Sequence, residues 1–152
     1  MFKIMDEALL TSYKPIMRAF FLLFVLASWS HTALSWRISP CQLAGELKRA
    51  GVPRGEWNRW VCIAKYESGF ETFAKSRYDF GLFQISSLHW CGIQARGGGC
   101  YVRCDDLLRD IQASIRCARH IKEVQGWGAW TVINRCWGRP SDLPDVTRSC
   151  GL

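Results

Sequence analysis

Two carboxylates draw attention by their surroundings. Glu67 lies in CIAKYESGF (62–70), near the end of a segment whose apolar residues recur at helical spacing, so it falls in the last turn of a buried helix. The partial negative charge of a helix C-terminus disfavours an ionised carboxylate there, as does burial, and both push the carboxyl toward its protonated form. Asp79 lies in RYDFGLFQISS (77–87), among Ser76, Arg77 and turn backbone, a polar setting that favours the ionised form. Glycoside hydrolysis needs this division: one acid holds a proton for the leaving oxygen, and one carboxylate attacks or stabilises an oxocarbenium-like centre. The plainer reading of Glu67 is a solvated or capping residue at a helix end.

The elements that must position the pair can be read from their punctuation. In SPCQLAGELKRAG, Ser39 is an N-cap, Pro40 the first helical residue and Gln42 the partner of a capping box, with Gly51 as the stop. A second helix is expected from about Glu56 to Ser68, with Trp57, Trp60, Val61 and Ala64 on its inner face and Gly69 at its end. From Tyr78 to Ser87 aromatic and β-branched residues with polar alternates indicate a short strand or hairpin. GIQARGGGC is a glycine-rich loop between Cys91 and Cys100, without the strand-loop-helix context of a phosphate site. A third helix is expected from about Asp105 to Val124 and a short one from about Ala129 to Cys136, with WGRPSDLPDVTRSC as a closing loop.

The chain has 152 residues, 49% of them hydrophobic, enough for one domain with its own core. The apolar run Ala19 to Trp29 follows Lys14 and Arg18 and precedes Ala33 and Ser35, small residues at −3 and −1 of a cut before Trp36. It is too short to span a bilayer comfortably and suits a signal peptide over residues 1–35, with Met17 as an alternative start; a retained signal-anchor is the competing reading. All eight cysteines lie beyond that cut: Cys41, Cys62, Cys91, Cys100, Cys104, Cys117, Cys136 and Cys150. An even count in a secreted chain implies four disulfides, with connectivity left open by spacing alone. Zinc on Cys100, Cys104, Cys117 and His120 competes with this, but leaves four thiols unexplained in an oxidising compartment. From Trp36 onward 17 Lys and Arg stand against 11 Asp and Glu, a surface drawn to polyanions or simply a solvated basic face. No basic cluster carries a nucleic-acid fold signature.

Taken together, GVPRGEWNRWVCIAKYESGF, YDFGLFQISS, HWC, QGWGAW followed by NRC, and the spacing of the eight cysteines resemble a C-type lysozyme of the insect and fly branch, over Arg37 to Cys150. The resemblance implies an α+β fold: a helical lobe, a small antiparallel sheet and a cleft between them. It implies Glu67 as general acid/base, Asp79 as nucleophile or electrostatic partner, and the pairs Cys41–Cys150, Cys62–Cys136, Cys91–Cys104 and Cys100–Cys117. Trp90 and Trp130 fall where the family lines its sugar cleft, with core packing as the alternative for either, whereas Trp57 and Trp60 are assigned to the core. The activity implied is a secreted muramidase acting on the β-1,4 bond between N-acetylmuramic acid and N-acetylglucosamine of bacterial peptidoglycan, as a monomer without a cofactor or metal.

The chain departs from that pattern. Glu67 and Asp79 are twelve residues apart, fewer than the family's usual interval, so the hairpin leading into Asp79 must be shortened. Ser86 stands where an Asn usually follows FQI, His89 where an aromatic residue often meets sugar, and Arg77 near Asp79 is expected to favour its ionised form. A calcium site of the α-lactalbumin kind is not expected, because Asp105, Asp106 and Asp110 form no clustered acidic run. The competing function is a weakly active or non-catalytic lysozyme-like protein that binds cell-wall or chitin-like glycans or acts on membranes by charge.

Overall fold

A computed structural model of the chain describes residues 37–152. The expected signal peptide, 1–35, lies outside the described residues. Helix α1 (Pro40–Arg49) begins as its sequence dictates: the Ser39 hydroxyl accepts from the Gln42 backbone N–H, and the Gln42 side chain accepts from that of Ser39. Its stripe Leu43, Ala44 and Leu47 is fully buried. After a 3-10 turn (Arg54–Glu56), helix α2 (Trp57–Ser68) buries Trp57, Trp60, Val61, Cys62, Ile63 and Ala64, and ends at Gly69 in the left-handed conformation, φ 60°. Both Trp57 and Trp60 are core residues, as expected, with their indole N–H groups donating to Val52 O and Glu56 Oε2.

The sheet is smaller than the sequence suggests. Strands β1 (Asp79–Phe80) and β2 (Ile85–Ser86) form one antiparallel pair, Asp79 opposite Ser86 and Phe80 opposite Ile85. Strands β3 (Cys91–Gly92) and β4 (Val102–Arg103) pair separately and in parallel. Cys91 of β3 is bonded to Cys104, the residue after β4, which holds the two strands side by side, while Cys100 is bonded to Cys117 in the long helix that follows. The glycines allow the loop to close over Trp90, since a β-carbon on Gly99 would lie 2.7 Å from the indole ring.

The expected third helix is two. A short α3 (Asp106–Arg109) is followed by α4 (Ile111–Gln125), and Asp110 between them is extended, φ −114° and ψ 101°. Its carboxylate accepts from the backbone N–H of Gln112 and Ala113, so a second N-cap is hidden within a continuous apolar stripe. The stretch 129–136 forms 3-10 turns (Trp127–Ala129 and Thr131–Arg135) rather than an α-helix, and the closing loop contains a one-turn helix α5 (Val146–Ser149) capped by Asp145. Asn58 of α2 holds this cap, donating to Asp145 Oδ1 and accepting from Val146 N–H; that hydrogen bond, with those from Thr147, keeps the Asp145 carboxyl below its usual range. Cys41–Cys150 and Cys62–Cys136 tie α1 and α2 to the C-terminal segments. The four disulfides are the pairs that the resemblance implies, and they consume the thiols of the zinc alternative.

Candidate active site

Glu67 is the penultimate residue of α2 and half-buried. Beside it the Ser68 hydroxyl lies 2.9 Å from Leu82 O, in the hairpin turn, and 3.0 Å from Ala64 O, so the end of α2 is latched to the β1–β2 hairpin. The chain then reverses through two successive residues with positive φ, Gly69 and Phe70. Gly81 makes the hairpin possible: its φ is 75°, its N–H donates to Ala74 O, and a β-carbon there would lie 2.6 Å from Leu107 O.

Asp79 enters the site from β1. Ser76, three residues earlier, donates its hydroxyl to Asp79 Oδ2 at 2.9 Å, and its oxygen is 3.0 Å from the Asp79 N–H. Arg77 does not approach Asp79 as the sequence led one to expect; its guanidinium lies over the Tyr78 ring, 5.0 Å from the centroid. Arg77 precedes the strand, which begins at Asp79, so strand geometry does not direct its side chain, and a guanidinium gains from lying over an aromatic face. Asp79's support is therefore a Ser-x-x-Asp turn, in which Ser76, of the two neighbours named from the sequence, makes the contact.

Both carboxylates line one cleft of about 320 Å³, with Gln84, Ile85, Ser86, Trp90 and Trp130 among its walls. Burial raises the Glu67 carboxyl above its ordinary value of 4.5, and the nearby charge of Asp79 raises it further. The two therefore interact through a partly dehydrated space, one group biased toward its protonated form by the other.

The four residues assigned to sugar have different placements. Trp90 is half-buried and lines the cleft, its ring edge-on to His120 at 6.0 Å. Trp130 lines it too, but is only 5% exposed; its N–H donates to Phe83 O at 3.0 Å, and its ring meets Trp60 edge-to-face at 5.2 Å. It is chiefly core, presenting one side as an apolar wall. Ser86 reaches the cleft directly across the strand pair from Asp79. His89 is exposed and is not among the lining residues. Sequence reading missed Gln84, Gln125 and Thr131, which supply amide and hydroxyl groups to the lining. For Gln84 the signal is conformational: it sits at φ 47°, its amide bound to Gly81 O, as the pivot of the hairpin.

The comparisons agree with this architecture. The family model described as "C-type lysozyme/alpha-lactalbumin family" matches residues 37–150. Lysozyme 1 of Musca domestica is 35% identical over 142 residues, covering 86% of this chain and 97% of its own. Lysozyme X of Drosophila melanogaster is 37% identical over 141 residues, 85% and 98% of the two chains. Lysozyme C of Chelonia mydas is 38% identical over 128 residues, 74% and 96%. With the cleft, the disulfides and the carboxylate pair on one domain, the chain belongs to the C-type lysozyme/alpha-lactalbumin family.

Proposed function

We propose that the protein is a secreted muramidase that hydrolyses the β-1,4 bond between N-acetylmuramic acid and N-acetylglucosamine of peptidoglycan, with Glu67 as acid/base and Asp79 as nucleophile or electrostatic partner. Lysozymes are the type case of this scheme, and the roles are carried over from them. The observation that carries the reading is the raised Glu67 carboxyl sharing one aromatic-walled cleft with Asp79. In α-lactalbumin-like members of such a family no acid would be needed there, whereas a hydrolase requires one.

In the proposed reaction, protonated Glu67 donates its proton to the glycosidic oxygen as the C1–O bond breaks and the leaving sugar departs as an alcohol. Asp79 compensates the developing charge at C1, by attack or by electrostatics, on the opposite side of the sugar. Glu67, now a carboxylate, takes a proton from water as that water adds to C1, and the second sugar leaves with the enzyme restored. Ser76 keeps one Asp79 oxygen occupied, which orients the other. The apolar sides of Trp90 and Trp130 suit pyranose faces. Secretion is supported by the apolar run before residue 36 and by a domain in which every cysteine is paired.

The test is turbidity loss of a Gram-positive wall suspension between pH 4 and 8. Glu67→Gln and Asp79→Asn are each expected to lower the rate by about 10²-fold or more with the fold retained, on the scale typical of acid–base residues. An unchanged rate in Glu67→Gln would refute the mechanism; a flat trace from folded wild type would leave a glycan-binding protein in its place.

A further inference from the structure

Away from the cleft, α2 presents an unusual column of side chains. The Arg59 guanidinium lies over two indoles, 4.9 Å from the Trp127 ring and 5.0 Å from the Trp137 ring. Lys122, itself paired with Glu56, lies over Trp127 at 4.8 Å, and Trp127 in turn meets core Trp60. Trp137 ends the column and is 58% exposed. Among the described residues Arg59 makes no ion pair, and its buried Nε has no hydrogen-bond partner. Among the described residues its Nη atoms make no hydrogen bond either, so the two-donor edge of a guanidinium placed against two aromatic rings is left without a partner.

A planar guanidinium held in this way matches the two oxygens of a carboxylate or phosphate, and Trp137 beside it offers an open aromatic face. Arg59 and Glu67 are eight residues apart on one helix, so their Cα atoms are separated by about 12 Å along the axis and about a quarter turn around it. The column is therefore on a different face from the cleft, yet within reach of a second stretch of the same polymer. Neither Arg59, Trp127 nor Trp137 lines the cleft.

We propose that Trp137 and Arg59 form a second glycan site for sugar units bearing an oxoanion: the ring rests on the outer face of Trp137 and the oxoanion on Nη1 and Nη2 of Arg59. That the polymer is a cell-wall glycan rests on the muramidase reading. The oxoanion has two possible sources, the carboxylates of peptidoglycan itself or the phosphates of wall-attached polymers. Holding one strand here raises the local concentration of scissile bonds at the cleft.

The test uses the secreted, disulfide-bonded protein carrying Glu67→Gln, so that bound walls are not digested. Binding is measured to insoluble peptidoglycan stripped of phosphate polymers and to the same walls with them retained. Trp137→Ala and Arg59→Lys, the second keeping charge but losing the fork, are each expected to weaken binding about tenfold. Loss on the stripped probe identifies carboxylate, and loss on the phosphate-bearing probe alone identifies phosphate. In the Glu67 background both changes should leave cleavage of a short neutral chito-oligosaccharide within twofold. Should Arg59→Lys prove unfolded by circular dichroism, exposed Trp137→Ala decides. Binding of both probes unchanged by Trp137→Ala overturns the proposal. Failure of the muramidase reading would appear separately, as no cleavage by the Glu67 protein.

Discussion

Replacing Gly81 by Ala should damage both stability and the site, by an amount that follows from two independent geometric facts. At φ 75° an alanine pays the left-handed backbone penalty of about 1–2 kcal/mol. Its β-carbon would also lie 2.6 Å from Leu107 O and 3.2 Å from Leu107 C, both backbone atoms that cannot rotate aside. Forcing an extra carbon into a filled space costs about 1–3 kcal/mol. Allowing about 0.4–1 kcal/mol for the narrower unfolded ensemble of Ala, the net loss is about 1–4.5 kcal/mol, centred on about 3 kcal/mol. For a domain of this size that lowers Tm by roughly 10 °C. Since the turn carries Asp79 on one side and Ser86 on the other, the relief movement is transmitted to the cleft, and a shift of about 1 Å can cost about 100-fold in rate. Thermal unfolding followed by near-UV circular dichroism, with wall turbidity below the transition, measures both. Gly45→Ala in the middle of α1 is the control of opposite sign: nothing lies within 4 Å of its β-carbon, and a gain of about 0.5–1 kcal/mol is expected. A Tm within 3 °C of wild type for Gly81→Ala, with activity intact, would refute the reasoning.

The remaining expectations concern the carboxylate and its supports. Because Glu67's carboxyl is raised in the folded state, the folded protein binds the extra proton, and its stabilising effect is full below about pH 4.5 and is lost as pH rises through the raised value. Denaturation of wild type and Glu67→Gln in parallel should show wild type losing ground over that window and holding level beyond it; a constant difference would contradict the linkage. Asp79→Asn removes one of the two causes, so the Glu67 titration followed by carboxyl NMR should move down, and no movement would sink the assigned coupling. Ser68→Ala unlatches the hairpin from α2 and should cost about 1 kcal/mol in chemical denaturation, with a larger proportional fall in activity than Tm alone explains. Asp110→Ala removes the cap of α4 and should cost about 1 kcal/mol without altering the activity of the folded protein.

What the sequence disclosed depended on whether the information was local. The start of α1 and the end of α2 were legible because Ser39 with Gln42 and Gly69 act within a few residues of themselves. The break at Asp110 was not, because the apolar stripe on either side of it keeps one period and conceals a residue whose backbone is extended. The parallel β3–β4 pair was hidden for the opposite reason: its strands are ten residues apart, Gly92 to Val102, and lie beside a disulfide, Cys91–Cys104, whose partners no spacing rule selects. At the site, Glu67's environment could be read from its place at the end of a buried helix, whereas Arg77 was assigned to the wrong neighbour because proximity in sequence does not reveal side-chain direction.

The shortened interval between Glu67 and Asp79 also changes how the site must be held. A long hairpin can adjust its own pairing to carry an aspartate into a cleft, but here only two residues of β1 pair with two of β2. Orientation then falls to contacts outside the ladder: Ser76 on Asp79, Ser68 on Leu82, Gln84 on Gly81, and the close passage of Gly81 over Leu107. The hairpin is anchored by the buried side chains of Phe80, Leu82, Phe83 and Ile85, but these few polar contacts set the direction of the groups that face the cleft. The cleft walls behave differently, because Trp130 is fixed both by its bond to Phe83 O and by Trp60. Substitutions of the polar Ser76 and Gln84 should therefore alter catalysis out of proportion to stability, and those around Trp60 and Trp130 the reverse.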